Sequence, residues 1–476
     1  MWRKATAACL VLAPVALAVA TGVDPALGED QGYGIYRQHP DATLWHAVLL
    51  HWSWVLLAVG FIGLLLQIGS RSQSRDGGRD GVRDGGRGGS RGRASVLAAV
   101  GWVATLLGLV TFSGLMAFDI GLLALEQQPG LTDAQLASYD ERIGSYAWAQ
   151  WGWQVPGILG WAVALIVVPL AAARARVISW WAAGLALAGT ALYLLFAISP
   201  VPLCLTGPVV LIVAYTLAAR QLLAPSETAS PGGPALALSE TAFPAGSTLA
   251  PSETCPAGEQ AIAPSETAFS GRAGLVCLIA APLSFVVGMA TVPPGSGDSS
   301  TYADHPGLAQ ASAFFLHLAW VLFVPAVIAV SERGGRFTRA AGFVTVLALI
   351  NFSALMLGDY TDLAARQALG DPVADRAMAL TDGYTLFTLG WALPGMALSL
   401  LGLITVAIGA AHDGLVRWWV PVLVVAGFAG FFVLPFGPLA VLGPAVLVVG
   451  FGLLGAALWR TRMVNAYRVS SLDSTG

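Results

Sequence analysis

Apolar residues occupy this chain in runs of about 20, separated by short polar breaks. Twelve such runs stand out: Ala5–Ala20, Leu44–Ile68, Ser95–Phe118, Ala147–Ala172, Ile178–Ile198, Leu203–Ala219, Gly274–Ala290, Ala309–Val330, Ala340–Leu357, Thr385–Ala410, Trp418–Leu434 and Leu439–Leu458. A helix of about 20 residues is what a hydrocarbon core of about 30 Å requires. A transmembrane barrel would instead show short alternating segments. The pattern therefore predicts an all-α, polytopic helical membrane protein of about twelve transmembrane helices.

The same pattern occurs twice. The first copy reads Tyr36, His39-Pro40, His51-x-x-Trp54, Phe112-Ser113-x-Leu115-Met116-x-x-Asp119 and Gly152-Trp153-x-x-Pro156-Gly157. The second reads Tyr302, His305-Pro306, His317-x-x-Trp320, Phe352-Ser353-x-Leu355-Met356-x-x-Asp359 and Gly390-Trp391-x-x-Pro394-Gly395. Cys9-x-x-x-x-Pro14 matches Cys277-x-x-x-x-Pro282, and Gly207-Pro208 matches Gly443-Pro444, so the match runs the length of each copy. An even number of helices per copy gives both the same orientation. Two tandem parallel six-helix repeats follow, related by an axis along the membrane normal.

Residues 1–222 form the first repeat, interrupted by an Arg/Gly/Asp loop at 70–94. A Pro/Ser/Glu/Thr-rich linker at 223–271 follows, then the second repeat at 272–462 and a tail at 463–476. The loop and linker are too poor in apolar residues to build a core and are expected to be disordered. Residues 1–28 have the outline of a signal peptide, but their match to an internal span argues for a retained helix.

Charge orients the helices. Arg3, Lys4, Arg71, Arg174, Arg176, Arg220, Arg272, Arg333, Arg336, Arg339, Arg417, Arg460 and Arg462 fall on one side of a twelve-helix threading. Asp24, Glu29, Asp30, Glu126, Asp133, Asp140, Glu141, Asp371 and Asp375 fall on the other, where Arg37, Arg142, Arg366 and Arg376 are exceptions diluted by neighbouring acids. The positive-inside rule then places both termini in the cytoplasm. Lys4 is the single lysine among 24 basic residues in a chain rich in Ala, Gly and Val. That usage reads as a GC-rich bacterial genome, and the expected location is the bacterial plasma membrane. With 11% charged residues, a net charge of −3 and mean hydropathy of +0.71, the lipid bilayer is the expected partner. No basic patch interleaved with aromatics points to nucleic acid.

The repeated polar residues are the candidate chemistry. His51 and His317 lie about two turns inside their helices, a depth on the order of 10 Å. Asp119 and Asp359 are expected to end the third and ninth helices at the same outer face, where each can approach the histidine of its own copy. His39 and His305 sit in the preceding loops, and Trp54 and Trp320 share a helix face with the deeper histidines. Tryptophan near a membrane face is most often an interfacial anchor. Pro156 and Pro394 should kink their helices. Gln127 and Gln367 begin acidic, partly amphipathic outer segments read as solvated loops. His46 and His412 have no counterpart and receive no role.

Ionisable groups within membrane helices are costly and mark ion pathways, proton relays or ligands. The first functional reading is a transporter- or channel-like protein for a small solute or ion. The alternatives are a non-catalytic membrane scaffold or envelope protein, and a haem- or quinone-associated redox protein using His51 and His317 as ligands. No cofactor or metal is required by the sequence. The chain has no HExxH, Walker, GxSxG or CxxCH motif to support soluble-type catalysis. The four cysteines lack metal or redox spacing and read as small buried hydrophobes.

Overall fold

The computed structural model describes residues 2–27, 32–76, 88–224, 268–293, 300–435 and 437–473, which contain helices and no strands. Ten helical runs are long and apolar enough to cross a membrane. In chain order, with the shorter helices interleaved, the elements are α1 Trp2–Gly22, α2 Pro40–Arg71, α3 Val96–Glu126, α4 Asp133–Ser145, α5 Ala147–Arg174, α6 Trp180–Phe196 and α7 Leu203–Leu223. The second half supplies α8 Gly271–Ala290, α9 Pro306–Arg333, α10 Arg336–Leu369, α11 Asp371–Gly383, α12 Thr385–His412, α13 Trp419–Val433 and α14 Pro438–Arg460. The apolar helices α6 and α13, at 17 and 15 residues, fall short of the ten.

Large apolar side chains such as Leu12, Leu159, Leu195, Val276, Leu401 and Val422 are exposed around the outside, as a lipid-facing surface requires. Exposed tryptophans gather towards the two ends: Trp45, Trp148 and Trp151 towards one, Trp180, Trp181, Trp418, Trp419 and Trp459 towards the other. These are the aromatic belts of a helical membrane protein. The arginine-rich ends meet one another. Arg3 donates to the carbonyl of Leu222, Arg71 donates to the carbonyl of Arg176, and Asp413 accepts from the Gly335 amide at 2.6 Å.

Glycine sets the closest helix crossings. A Cβ at Gly108 of α3 would lie 2.2 Å from the Gly160 backbone of α5, so these helices touch backbone to backbone. Gly207 of α7 meets the backbone of Tyr193 on α6, and Gly443 of α14 meets Phe431 on α13. The Gly-Pro pairs noted in the sequence therefore seat the two short helices. α1 packs between α2 and α7, with Thr6 and Leu10 against Gly63 and Gly60.

Three expectations need correction. The third and ninth helices do not stop at Phe118 and Leu357, because α3 continues to Glu126 and α10 to Leu369. The outer segments are not loops but the helices α4 and α11, the former opened by a Thr132–Gln135 capping box. The reason is packing: α4 covers the acid-rich end of α10, and α11 lies against the acid-rich ends of both α3 and α10. Finally, α2 stays helical to Asp76 and the next helix begins at Gly88, so both ends of the 70–94 stretch are helical. Residues 77–87, nearly all of the 223–271 linker (225–267) and residues 474–476 of the tail lie outside the described residues.

Candidate functional site

His51, where α2, α3, α10 and α12 meet, and His317, where α9, α10, α3 and α5 meet, are each held mainly by the other half. His51 is fully buried on α2. Its Nδ1 is 2.9 Å from the Ser113 carbonyl of α3, and its Nε2 is 2.6 Å from Asn351 Oδ1 of α10. The Trp391 ring of α12 lies flat against the imidazole, with centroids 3.6 Å apart and planes 10° from parallel. His317 on α9 repeats the pattern with the halves exchanged. Its Nδ1 is 3.1 Å from the Ser353 carbonyl, its Nε2 is 3.1 Å from Thr111 Oγ1, and Trp153 stacks on it at 3.8 Å.

Local backbone irregularity builds this arrangement. The serines immediately precede short 3₁₀ turns, Gly114–Met116 and Ala354–Leu357, and those turns touch each other between the halves. A change from α to 3₁₀ pitch shifts carbonyl directions, and a carbonyl has two lone pairs to share. Trp153 and Trp391 lie in single π-helical turns, Gln150–Gln154 and Thr388–Ala392. Pro156 and Pro394 follow directly, and a proline ring displaces the carbonyl four residues earlier. The widened turn rotates each tryptophan inward, where its indole N–H donates to the backbone of α3 or α10: Trp153 to Thr111 O at 2.9 Å, Trp391 to Asn351 O at 3.2 Å. π-Bulges of this kind occur frequently at functional sites.

A second layer, at the acid-rich end, crosses between the halves in the same way. The Tyr384 hydroxyl donates to Gln127 Oε1 at 2.9 Å, and Tyr146 donates to Gln367 Oε1 at 2.8 Å. Burial pushes the Tyr384 phenol up to about 12. Arg376 of α11 donates to Gln128 at 3.0 Å. Arg366 is held by Asp362, Asp371 and Asp375 at 2.8, 3.2 and 2.9 Å.

The aspartates are not brought to the histidines. Asp119 accepts from the Tyr36 hydroxyl at 3.2 Å, while both ring nitrogens of His51 face other groups. The offset is axial: Asp119 lies six residues beyond Ser113, about 9 Å along α3. Burial and then the Asp119 charge push the Tyr36 phenol well above its ordinary range. Asp359 is placed equivalently, and its charge adds to the burial that raises Tyr302. His39 and His305 stay exposed at helix starts, where their carbonyls accept the first amides of α2 and α9. Trp54 and Trp320 are not interfacial anchors. Both are about 2% exposed, among Phe112, Trp161 and Tyr193 in one half and Phe285, Phe323 and Phe352 in the other. Their indole nitrogens have no hydrogen-bond partner among the described residues.

Sequence reasoning passed over Asn351 and Thr111, the two side chains that complete the histidine contacts. It also passed over His46, whose Nδ1 lies 3.0 Å from the Ala20 carbonyl and 3.8 Å from Asp24. No cluster of three or more His, Cys, Asp or Glu suited to a metal occurs among the described residues. Cys9 and Cys204 are buried and Cys277 is partly so, all three as free thiols.

Ten apolar spans, two aromatic belts and a buried polar layer define an integral membrane protein of the multi-pass helical class. Beyond that class, no family model, curated protein or solved structure matches the chain.

Proposed function

We propose that the chain is a transporter- or channel-like protein for a small ion or solute, caught with its inter-half pathway closed. In this reading α6 and α13 also cross the bilayer, giving twelve spans in two parallel repeats. The arginine-rich face and both termini are cytoplasmic, and the membrane is a bacterial plasma membrane. The carrying observation is the exchanged His51–Asn351 and His317–Thr111 contacts, set beside π and 3₁₀ turns where the halves meet. Parallel-repeat transporters hold substrates at such an interface, on interrupted helices. Polar side chains there are costly to insert and cheap to separate once water or an ion replaces their partners.

One observation favours a second reading, a non-catalytic membrane scaffold: each ring nitrogen of both histidines already has a protein partner. The same fact weighs against haem ligation, which requires a ring nitrogen free to bind iron.

The test is flux in liposomes. Purified full-length chain should pass protons, alkali cations or halide faster than protein-free vesicles. The His51→Phe/His317→Phe variant, recovered with normal helicity and yield, should lose that flux. Rates equal to those of empty vesicles for all three would refute transport and leave the scaffold.

A further inference from the structure

The two seams between the halves are closed differently. At one, where α1 and α2 meet α10, Trp2 of α1 stands edge-on to Phe343 of α10, with ring centroids 5.2 Å apart and planes at 81°. Both rings pack on the core. The matching seam, where α8 and α9 meet α3, lacks both rings. Counted from Cys9 and Cys277, the position of Trp2 is held by Ser270; counted from Phe112 and Phe352, that of Phe343 is held by Val103.

A cavity of about 150 Å³ occupies this second seam. It is lined, among others, by Val103 and Leu107 of α3, Ala273 and Cys277 of α8, and Val321 and Pro325 of α9. Close backbone contacts fix its walls: Gly274 of α8 rests on the Pro325 carbonyl and on Ala329 of α9, while Gly108 holds α3 against Gly160 of α5. An apolar cavity of this size stays dry and takes apolar guests.

The guest follows from where the cavity opens and from the charge at its edge. Val103 and Leu107 are also about half exposed on the lipid-facing surface, so the cavity opens sideways into hydrocarbon. Arg272 immediately precedes Ala273 and is exposed, at the head of the lipid-facing row Val276, Ile279 and Leu283. Cys277 lies five residues further in, about 7 Å along the axis. A guanidinium at the polar edge with an apolar slot beneath it complements a phosphate and the acyl chain that hangs from it. A polar solute is matched by neither the walls nor the depth.

We propose that this groove binds one acyl chain of an anionic phospholipid, whose phosphate rests on Arg272. Lipid then closes at one seam what Trp2 and Phe343 close at the other. The site is separate from the histidine layer and stands whether or not a solute crosses the protein.

Full-length protein in phosphatidylcholine nanodiscs, doped with phosphatidylglycerol bearing a diazirine on one acyl chain, tests this by mass spectrometry of photolabelled peptides. Adducts should concentrate on residues 102–107 and 273–277 and fall as unlabelled phosphatidylglycerol is added. Phosphatidylcholine bearing the same diazirine should label these peptides roughly fivefold less, an advantage that Arg272→Gln removes. Val103→Phe with Ser270→Trp, which copies the rings of the other seam, should abolish the labelling. If that variant does not fold, the wild-type map decides alone. Adducts spread evenly over α1, α5, α7 and α14, equal labelling by the two lipids, or undiminished labelling in the filled variant overturns the proposal.

Discussion

Replacing Asn351 by leucine tests the exchanged contacts most directly, because one side chain serves two buried partners. The substitution removes the bonds to His51 at 2.6 Å and to the Trp391 carbonyl at 3.0 Å and supplies nothing polar instead. Interhelical polar bonds in membranes are worth about 0.6 kcal/mol on average and up to about 1.7. Stranding a buried partner costs roughly 1–3 kcal/mol, more where it is charged. Two buried partners are stranded at once, so the expected loss for Asn351→Leu is about 2–4 kcal/mol. Thr111→Val removes a single bond of 3.1 Å while keeping the branched shape, for a loss of about 1 kcal/mol. Unfolding by denaturing detergent in mixed micelles, followed by far-UV circular dichroism, measures both. Double-mutant cycles sharpen the comparison, since they isolate the pair. His51→Phe with Asn351→Leu, the shorter contact, should couple by about 1–1.7 kcal/mol, and His317→Phe with Thr111→Val by about 0.6 kcal/mol. Equal coupling in the two cycles would refute the reasoning that the shorter, amide-held pair is the stronger.

Co-expressed pieces cut between residues 224 and 268 should co-purify, because each half completes the other's histidine contacts; a stable, monomeric first piece alone would contradict this. Gly160→Ala places a methyl 2.3 Å from the Gly108 backbone and should lower stability by about 1–3 kcal/mol or more, whereas Gly184→Ala, with open space around it, should be neutral in the same unfolding assay. The Tyr384 phenol, raised from 10.0 to about 12 by burial, stabilises the fold fully below pH about 10 and loses that contribution as pH rises through about 12. Spectrophotometric titration should show one late-ionising tyrosine disappear in Tyr384→Phe; an unchanged curve counts against the Gln127 contact.

Legibility in the sequence followed the kind of information each feature needs. Span length and apolarity are properties of single segments, and the runs read from hydropathy place the ten long helices. Depth is also local, so His51 and His317 were read as lying inside the membrane-crossing helices and the structure buries both. The direction in which a side chain points across the bundle is not local. It depends on which helices are neighbours, so pairing His51 with Asp119 of its own copy was a natural inference that the helix interface did not follow. Trp153 and Trp391 carried a signal, a tryptophan three residues before a proline, but the inward turn comes from the π-helical step that the proline induces. The segments of α4 and α11 read as partly amphipathic, but their helices rest on non-local packing: α4 lies on α10 of the other half, and α11 on both α3 and α10.

Asn351 was invisible for a more specific reason. Comparing the copies selects identical residues, and identity marks what both sites share: a histidine, a serine carbonyl, a tryptophan face. The difference in function between two related sites must lie where the copies disagree. At the position facing the histidine, one copy presents an amide pinned by Trp391 and the other a hydroxyl free to reverse its donor. An amide held in one orientation offers its ring an acceptor, whereas a hydroxyl can take either role. Asn351→Thr would make the two sites alike, and a cycle pairing it with His51→Phe should then couple by about 0.6 kcal/mol, as His317 with Thr111 does.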